Sequence, residues 1–168
     1  MERVSPRRTG WSRLNIWMHW LIVALILVQY IDHESMVAMW RSFRRGTELS
    51  STDQTLGWVH IIAGTLVLVF AAIRLWDRFA RGRPPYPENE PSWAYWLAKV
   101  THGLIYALLF VIPVTGLVAW FGNVPPAGEV HEFLWNPLLV LIALHILGAL
   151  AQQFWFKTDV LRRIVRPG

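Results

Sequence analysis

Apolar residues fall in four long blocks along the chain, at about residues 14–31, 56–76, 96–121 and 131–156, with polar stretches between them. Helices of roughly this length, rising about 1.5 Å per residue, cross about 30 Å of hydrocarbon. The pattern predicts an all-α fold: an integral membrane bundle of four transmembrane helices forming one domain over residues 1–168. Pro113 lies inside the third block and predicts a kink there, with neighbouring helices satisfying the freed carbonyl. The connections differ in character. Residues 32–55 read as a polar segment of medium length. The run Gly82-Arg83-Pro84-Pro85-Tyr86-Pro87 reads as extended, and residues 122–130 as a short loop around Pro125-Pro126.

Composition agrees with this and narrows the chemistry. The chain is 54% hydrophobic, with eleven tryptophans, a residue that favours the membrane–water interface. It has no cysteine, which excludes disulfides, zinc–thiolate sites, iron–sulfur clusters and thioether-linked haem. The basic start before an apolar run resembles a signal peptide. That run is long, contains His19 and lacks a small-residue cleavage site, so it is expected to be retained as the first helix.

Charge predicts the orientation. Of sixteen lysines and arginines, thirteen sit in the N-terminal tail, around the second connection or in the C-terminal tail. Only Arg41, Arg44 and Arg45 fall on the other side. The positive-inside rule then puts both termini in the cytoplasm. Basic residues beside membrane spans need no nucleic acid to explain them, and none is expected as a partner.

Five of the six histidines lie in or at the edges of the apolar blocks. A histidine in lipid is costly unless its nitrogens are satisfied, and several together point to a proton path, a metal or haem ligation. One alone is more often a packed, hydrogen-bonded residue. His131 and His145 lie on the same predicted helix, fourteen residues apart. That spacing turns through about 1400°, about 40° short of four full turns, and rises about 21 Å. The two rings therefore face one way at two depths, and one helix offers a ligand to each of two stacked cofactors. Counting along the alternating helices pairs His19 with His145 in the cytoplasmic half and His60 with His131 in the outer half. Two imidazoles fill both axial positions of a haem iron, which favours electron transfer over oxygen activation. His102 is also on the cytoplasmic side. It is an alternative ligand in place of His19 or His145, or a donor to a haem propionate or quinone. His33 reads as a solvated loop residue. Gly57, Gly64 and Gly148, each a turn from a candidate ligand, give a haem plane a low surface or serve ordinary helix packing.

The stretches Arg13-Leu14-Asn15-Ile16-Trp17-Met18-His19-Trp20, His60-Ile61-Ile62-Ala63-Gly64 with Arg74-Leu75, and Ile112-Pro113-Val114-Thr115-Gly116 after His102 form an ordered series. It continues with His131-Glu132, His145 and Lys157-Thr158-Asp159-Val160-Leu161-Arg162-Arg163-Ile164. In order and spacing this series resembles the bacterial cytochrome b561 family, over almost the whole chain. The resemblance implies a bacterial inner-membrane protein with two haems b, ligated by His19, His60, His131 and His145. It also implies kinship with a membrane superoxide oxidase that passes electrons from superoxide to ubiquinone. In that relative a histidine follows the last ligand by about two turns. Gln152 or Gln153 stands there in this chain, and an amide can hydrogen-bond a quinone oxygen but is a poor proton donor. Two functions follow as expectations. One is oxidation of a small outer reductant such as superoxide with reduction of ubiquinone, Gln152 and His102 lining the quinone site. The other is an electron-transfer subunit joining a partner cytochrome or dehydrogenase to the quinone pool. A non-redox scaffold, with the histidines serving packing, is the third and weakest reading.

Overall fold

The computed structural model describes residues 10–82, 84, 85 and 91–167. Arg3, Arg7, Arg8, Arg83, Tyr86, Pro87 and Gly168 lie outside the described residues. The fold is all-helical, with six helices among them: α1 (Arg13–Ile31), α2 (His33–Arg45), α3 (Ser51–Arg81), α4 (Ser92–Gly122), α5 (Pro125–Phe154) and α6 (Val160–Val165). Four of these, α1, α3, α4 and α5, are long and apolar enough to cross a membrane. Large apolar side chains such as Ile31, Phe79, Phe133 and Phe154 stand largely exposed on them, which suits hydrocarbon and not water.

The long helices extend past the apolar blocks at several ends. α3 begins at Ser51, where the Ser50 hydroxyl caps the amide of Asp53, and ends at Arg81. Hydropathy registers only the hydrocarbon-facing part of a span, so polar turns beyond it escape notice. α5 begins at Pro125 and not near residue 131. The Pro125-Pro126 pair, expected in a loop, occupies the first turn, where a missing amide costs nothing. His131 therefore lies well inside the helix and not at its edge. α4 runs through Pro113, and Thr115 donates to the carbonyls of Val111 and Ile112 just before and at the interruption.

The connection 32–55 is largely helical, which corrects the expected polar segment. α2 is strongly amphipathic, with Met39 buried against α3 at Gly57 and Arg41, Arg44 and Arg45 exposed. Its signals are local: Met36, Trp40 and Phe43 recur at helical spacing, and Gly46 ends the helix in the left-handed conformation at φ +64°.

α1 packs on α3, α3 on α4, and α4 on α5, while α2 lies across α3 and α6 returns to α5. The close backbone neighbours of α5 are α4 and α6; towards α1 and α3 it stands off, so side chains meet across the gap. Ile22, Val67, Ala71 and Leu109 form an apolar core at mid-height, with Leu25, Ile26, Phe70, Ile105 and Phe110 around it. At the end where α1 begins and α6 lies, Asn15 and Asp77 are the most deeply buried large side chains. Ser12 donates to Asp77 at 2.6 Å and Asn15 donates to the Arg74 carbonyl, tying the start of α1 to the end of α3. The Trp20 indole donates to the Ile164 carbonyl and so holds α6 at this same end.

Candidate haem sites

α1 and α3 each contribute to one of two histidine pairs, and α5 contributes to both. His19 on α1 faces His145 on α5 with ring centroids 6.3 Å apart, and His60 on α3 faces His131 on α5 at 6.2 Å. These are the two pairs that spacing along the chain predicts. Metal–imidazole bonds of about 2 Å, with about 1 Å more from nitrogen to ring centre, put two trans imidazoles about 6 Å apart across an iron. Both pairs have that separation, and the stand-off of α5 leaves room for a planar group between backbones. His102 approaches His145 to 4.9 Å, which is too close for a shared iron with trans ligands. Its Nδ1 donates to the Ala98 carbonyl of its own helix.

The pair at the α2 end is the more completely built. A carboxylate and a carbonyl can only accept, so the hydrogen bonds define the histidine tautomers. His60 Nδ1 donates to Asp32 Oδ1 at 2.8 Å, and His131 Nδ1 donates to the Ile112 carbonyl at 2.7 Å. Each ring is left with Nε2 as its lone-pair nitrogen, the arrangement typical of a histidine that binds metal. A cavity of about 390 Å³ opens beside them, lined among others by Gln29, His33, Gly64, Gly116 and Trp135. His33 is therefore not a solvated loop residue; it sits in the first turn of α2 and faces this cavity. The donor set and the space fit a haem.

Around the other pair the chemistry differs. Trp20 contacts the His19 ring edge-on at 5.2 Å, and the Arg74 guanidinium acts electrostatically on both His19 and His145. Arg74 is held by Asn15 Oδ1 at 3.1 Å and lies over the Tyr106 ring with Arg78 beside it. Gln152, one turn beyond Gly148, is buried, and its Oε1 accepts from Thr158 at 3.0 Å. That bond folds the chain back after α5 and gives the amide a structural task.

Of the glycines singled out from sequence, Gly57 makes room for Met39 and so serves helix packing, while Gly64 lies against Gln29 and also borders the cavity beside His60 and His131. Gly148 has open space before it. Three residues around the sites were not read as part of them. In the sequence Asp32 falls at the start of a connection and Gly116 within a motif, and Gln29 carries no signal of its own. Gln29 donates to the His60 carbonyl at 2.7 Å. A buried carboxylate where a span meets its connection is the signal that was available for Asp32.

Comparison with known proteins agrees with this architecture. Residues 10–167 match the family described as prokaryotic cytochrome b561. The chain is 31% identical to cytochrome b562 of Cereibacter sphaeroides, over 94% of this chain and 96% of that one. It is 25% identical to a probable superoxide oxidase of Yersinia pestis, over 92% of this chain and 95% of that one.

Proposed function

The chain belongs to the prokaryotic cytochrome b561 family of membrane electron-transfer proteins, and from that premise we propose that it conducts electrons across the bacterial inner membrane between two haems b. The outer one is held by His60 and His131, and the cytoplasmic one by His19 and His145. The observation that carries this reading is the pair of facing histidines repeated at two depths, at 6.2 and 6.3 Å. When bound, each haem would supply a one-electron ferric/ferrous couple.

The chain's own residues give that couple its setting. α5 presents one ligand to each site from a single rigid element, which fixes the distance between the two sites. The core of Ile22, Val67, Ala71 and Leu109 excludes water between them. At the α2 end, taken as the periplasmic face, the cavity gives a small reductant access beside His60 and His131. At the other end His102 donates through Nδ1 to Ala98, so its neutral ring presents Nε2 as an acceptor, suited to a quinol hydroxyl; it would donate to a quinone oxygen or a propionate only as imidazolium. Gln152 is the second candidate for that wall.

The resemblance to a probable superoxide oxidase supports superoxide as donor; ubiquinone is the acceptor we propose with it. Two superoxide anions each give up one electron and leave as oxygen; ubiquinone takes both electrons with two protons from the cytoplasmic side and becomes ubiquinol. The greater identity to a protein named simply as a cytochrome favours the second reading, a carrier between a redox partner and the quinone pool. Purified protein is expected to carry two acid–acetone-extractable haems per chain, His131→Ala and His145→Ala each losing a different one. A wild-type ratio near one overturns the two-site reading. Haem reduction by a superoxide pulse in the isolated protein, followed by reoxidation by a ubiquinone analogue, selects the first function; inertness to superoxide selects the second.

A further inference from the structure

Asp32 stands at the corner where α1 ends and α2 begins. Its amide donates to the Val28 carbonyl at 2.9 Å, and its own carbonyl accepts from the Met36 amide at 3.1 Å, so two helix ends hold its backbone. The residue is 2% exposed, and its carboxylate meets His60 Nδ1 at 2.8 Å. A buried carboxylate needs a donor, and a hydrogen bond to an ionised group is about twice as strong as a neutral one. Among the described residues, no other hydrogen bond reaches either carboxylate oxygen: Oδ2 is buried without a partner. The bond to His60 is therefore undiluted.

The other three facing histidines lack this feature. His131 donates to a neutral carbonyl, and Arg74 sets a cation near His19 and His145. One carboxylate thus backs one histidine on one side of the bundle. A carboxylate accepting the Nδ1 proton makes the imidazole a stronger donor through Nε2 and adds negative charge near the metal. Both effects favour the more positively charged ferric state over the ferrous state.

We propose that Asp32 is a positioning residue that orients His60 and lowers the reduction potential of the outer haem relative to the cytoplasmic one. The inference rests on the reading that His60 is a haem ligand. It supplies a direction: electrons entering at the α2 end fall toward the end with Arg74 and α6. The carboxylate and the guanidinium sit at opposite ends of the same electron path, and the helix corner at Asp32 makes the first of these a fixed part of the fold.

The test is a redox titration of the purified, haem-loaded full chain. Asp32→Asn keeps an oxygen to accept from His60 and removes the charge. It is expected to keep both haems and to shift the reduction equilibrium of one of them at least tenfold toward the ferrous form, about 59 mV for one electron. The shifted haem should be the one that His131→Ala loses. Unchanged potentials at full haem content, or an equal shift of both haems, overturn the proposal. If Asp32→Asn loses haem, Asp32→Glu decides: recovery of haem with the low potential supports the role of charge, and loss in both variants overturns it. His60→Ala separates the two levels. Full haem content in that variant defeats the ligand reading and the proposal with it, whereas loss of one haem beside an unshifted Asp32→Asn defeats the proposal alone.

Discussion

A Cβ built on Gly116 would stand 2.8 Å from Nδ1 of His131 and 2.9 Å from its Cε1, so α4 meets that imidazole with bare backbone. The same ring donates to Ile112 one turn earlier on α4. Gly116→Ala should push the ring off this acceptor. Overpacking of this kind costs about 1–3 kcal/mol. The expected result is reduced retention of one haem and a lower Tm in detergent, with the second haem unchanged. Full haem content would show that α4 yields instead of the histidine.

Asp77 joins the start of α1 to the end of α3. It accepts from Ser12 and from Asn15, which is 1% exposed. Asp77→Leu leaves the Ser12 hydroxyl without this acceptor, Asn15 keeping the Arg74 carbonyl, and a buried unsatisfied polar group costs about 1–3 kcal/mol. Arg81, half-exposed in its ion pair with Asp77, adds little. Thermal unfolding in detergent should shift down by that amount, and Arg81→Gln should barely move it. Comparable losses in the two variants would put the stability in the surface ion pair.

Arg74 places a positive charge near His19 and His145. Such a charge favours the ferrous state of a haem held between them. Arg74→Gln should therefore lower the potential of the haem that His145→Ala removes, the opposite sign to the effect expected at Asp32. A rise, or no change at full haem content, would contradict this.

Arg41, Arg44 and Arg45 lie exposed on α2, and Arg44 also borders the cavity beside His60 and His131. A local positive field of this kind raises the on-rate of a small anion about tenfold or more at low salt. Haem reduction by superoxide should slow as salt screens charges beyond about 8 Å, and a triple Arg→Gln variant should lose that dependence. Identical salt profiles would assign the arginines to lipid phosphates.

The charge asymmetry predicts topology as well. Reporter fusions after Arg166 should read as cytoplasmic, and fusions within residues 34–51 as periplasmic. An external C-terminus would exchange the donor and acceptor sides throughout.

The sequence by itself determined the four spans, because burial in hydrocarbon requires unbroken apolar length whatever the neighbours do. It also determined the pairing of His19 with His145 and of His60 with His131. The helical repeat fixes direction and depth, and alternating spans then bring these histidines to matching heights, with His102 the alternative at the cytoplasmic level. Tertiary structure alone decided the rest. α2 carries a local helical pattern in Met36, Trp40 and Phe43, but a short amphipathic helix gains its stability from the face it buries, here Met39 on Gly57, and that face exists only once α3 is in place. The hydrogen bonds of Asp32 to His60 and of Ile112 to His131 span 28 and 19 residues, distances over which no local periodicity operates. The closeness of His102 to His145, and the Thr158 partner of Gln152, likewise follow from how helices and chain turns meet. Repetition along one helix is legible in one dimension, whereas the groups that orient and charge a ligand come from other elements and become neighbours only when the chain is folded.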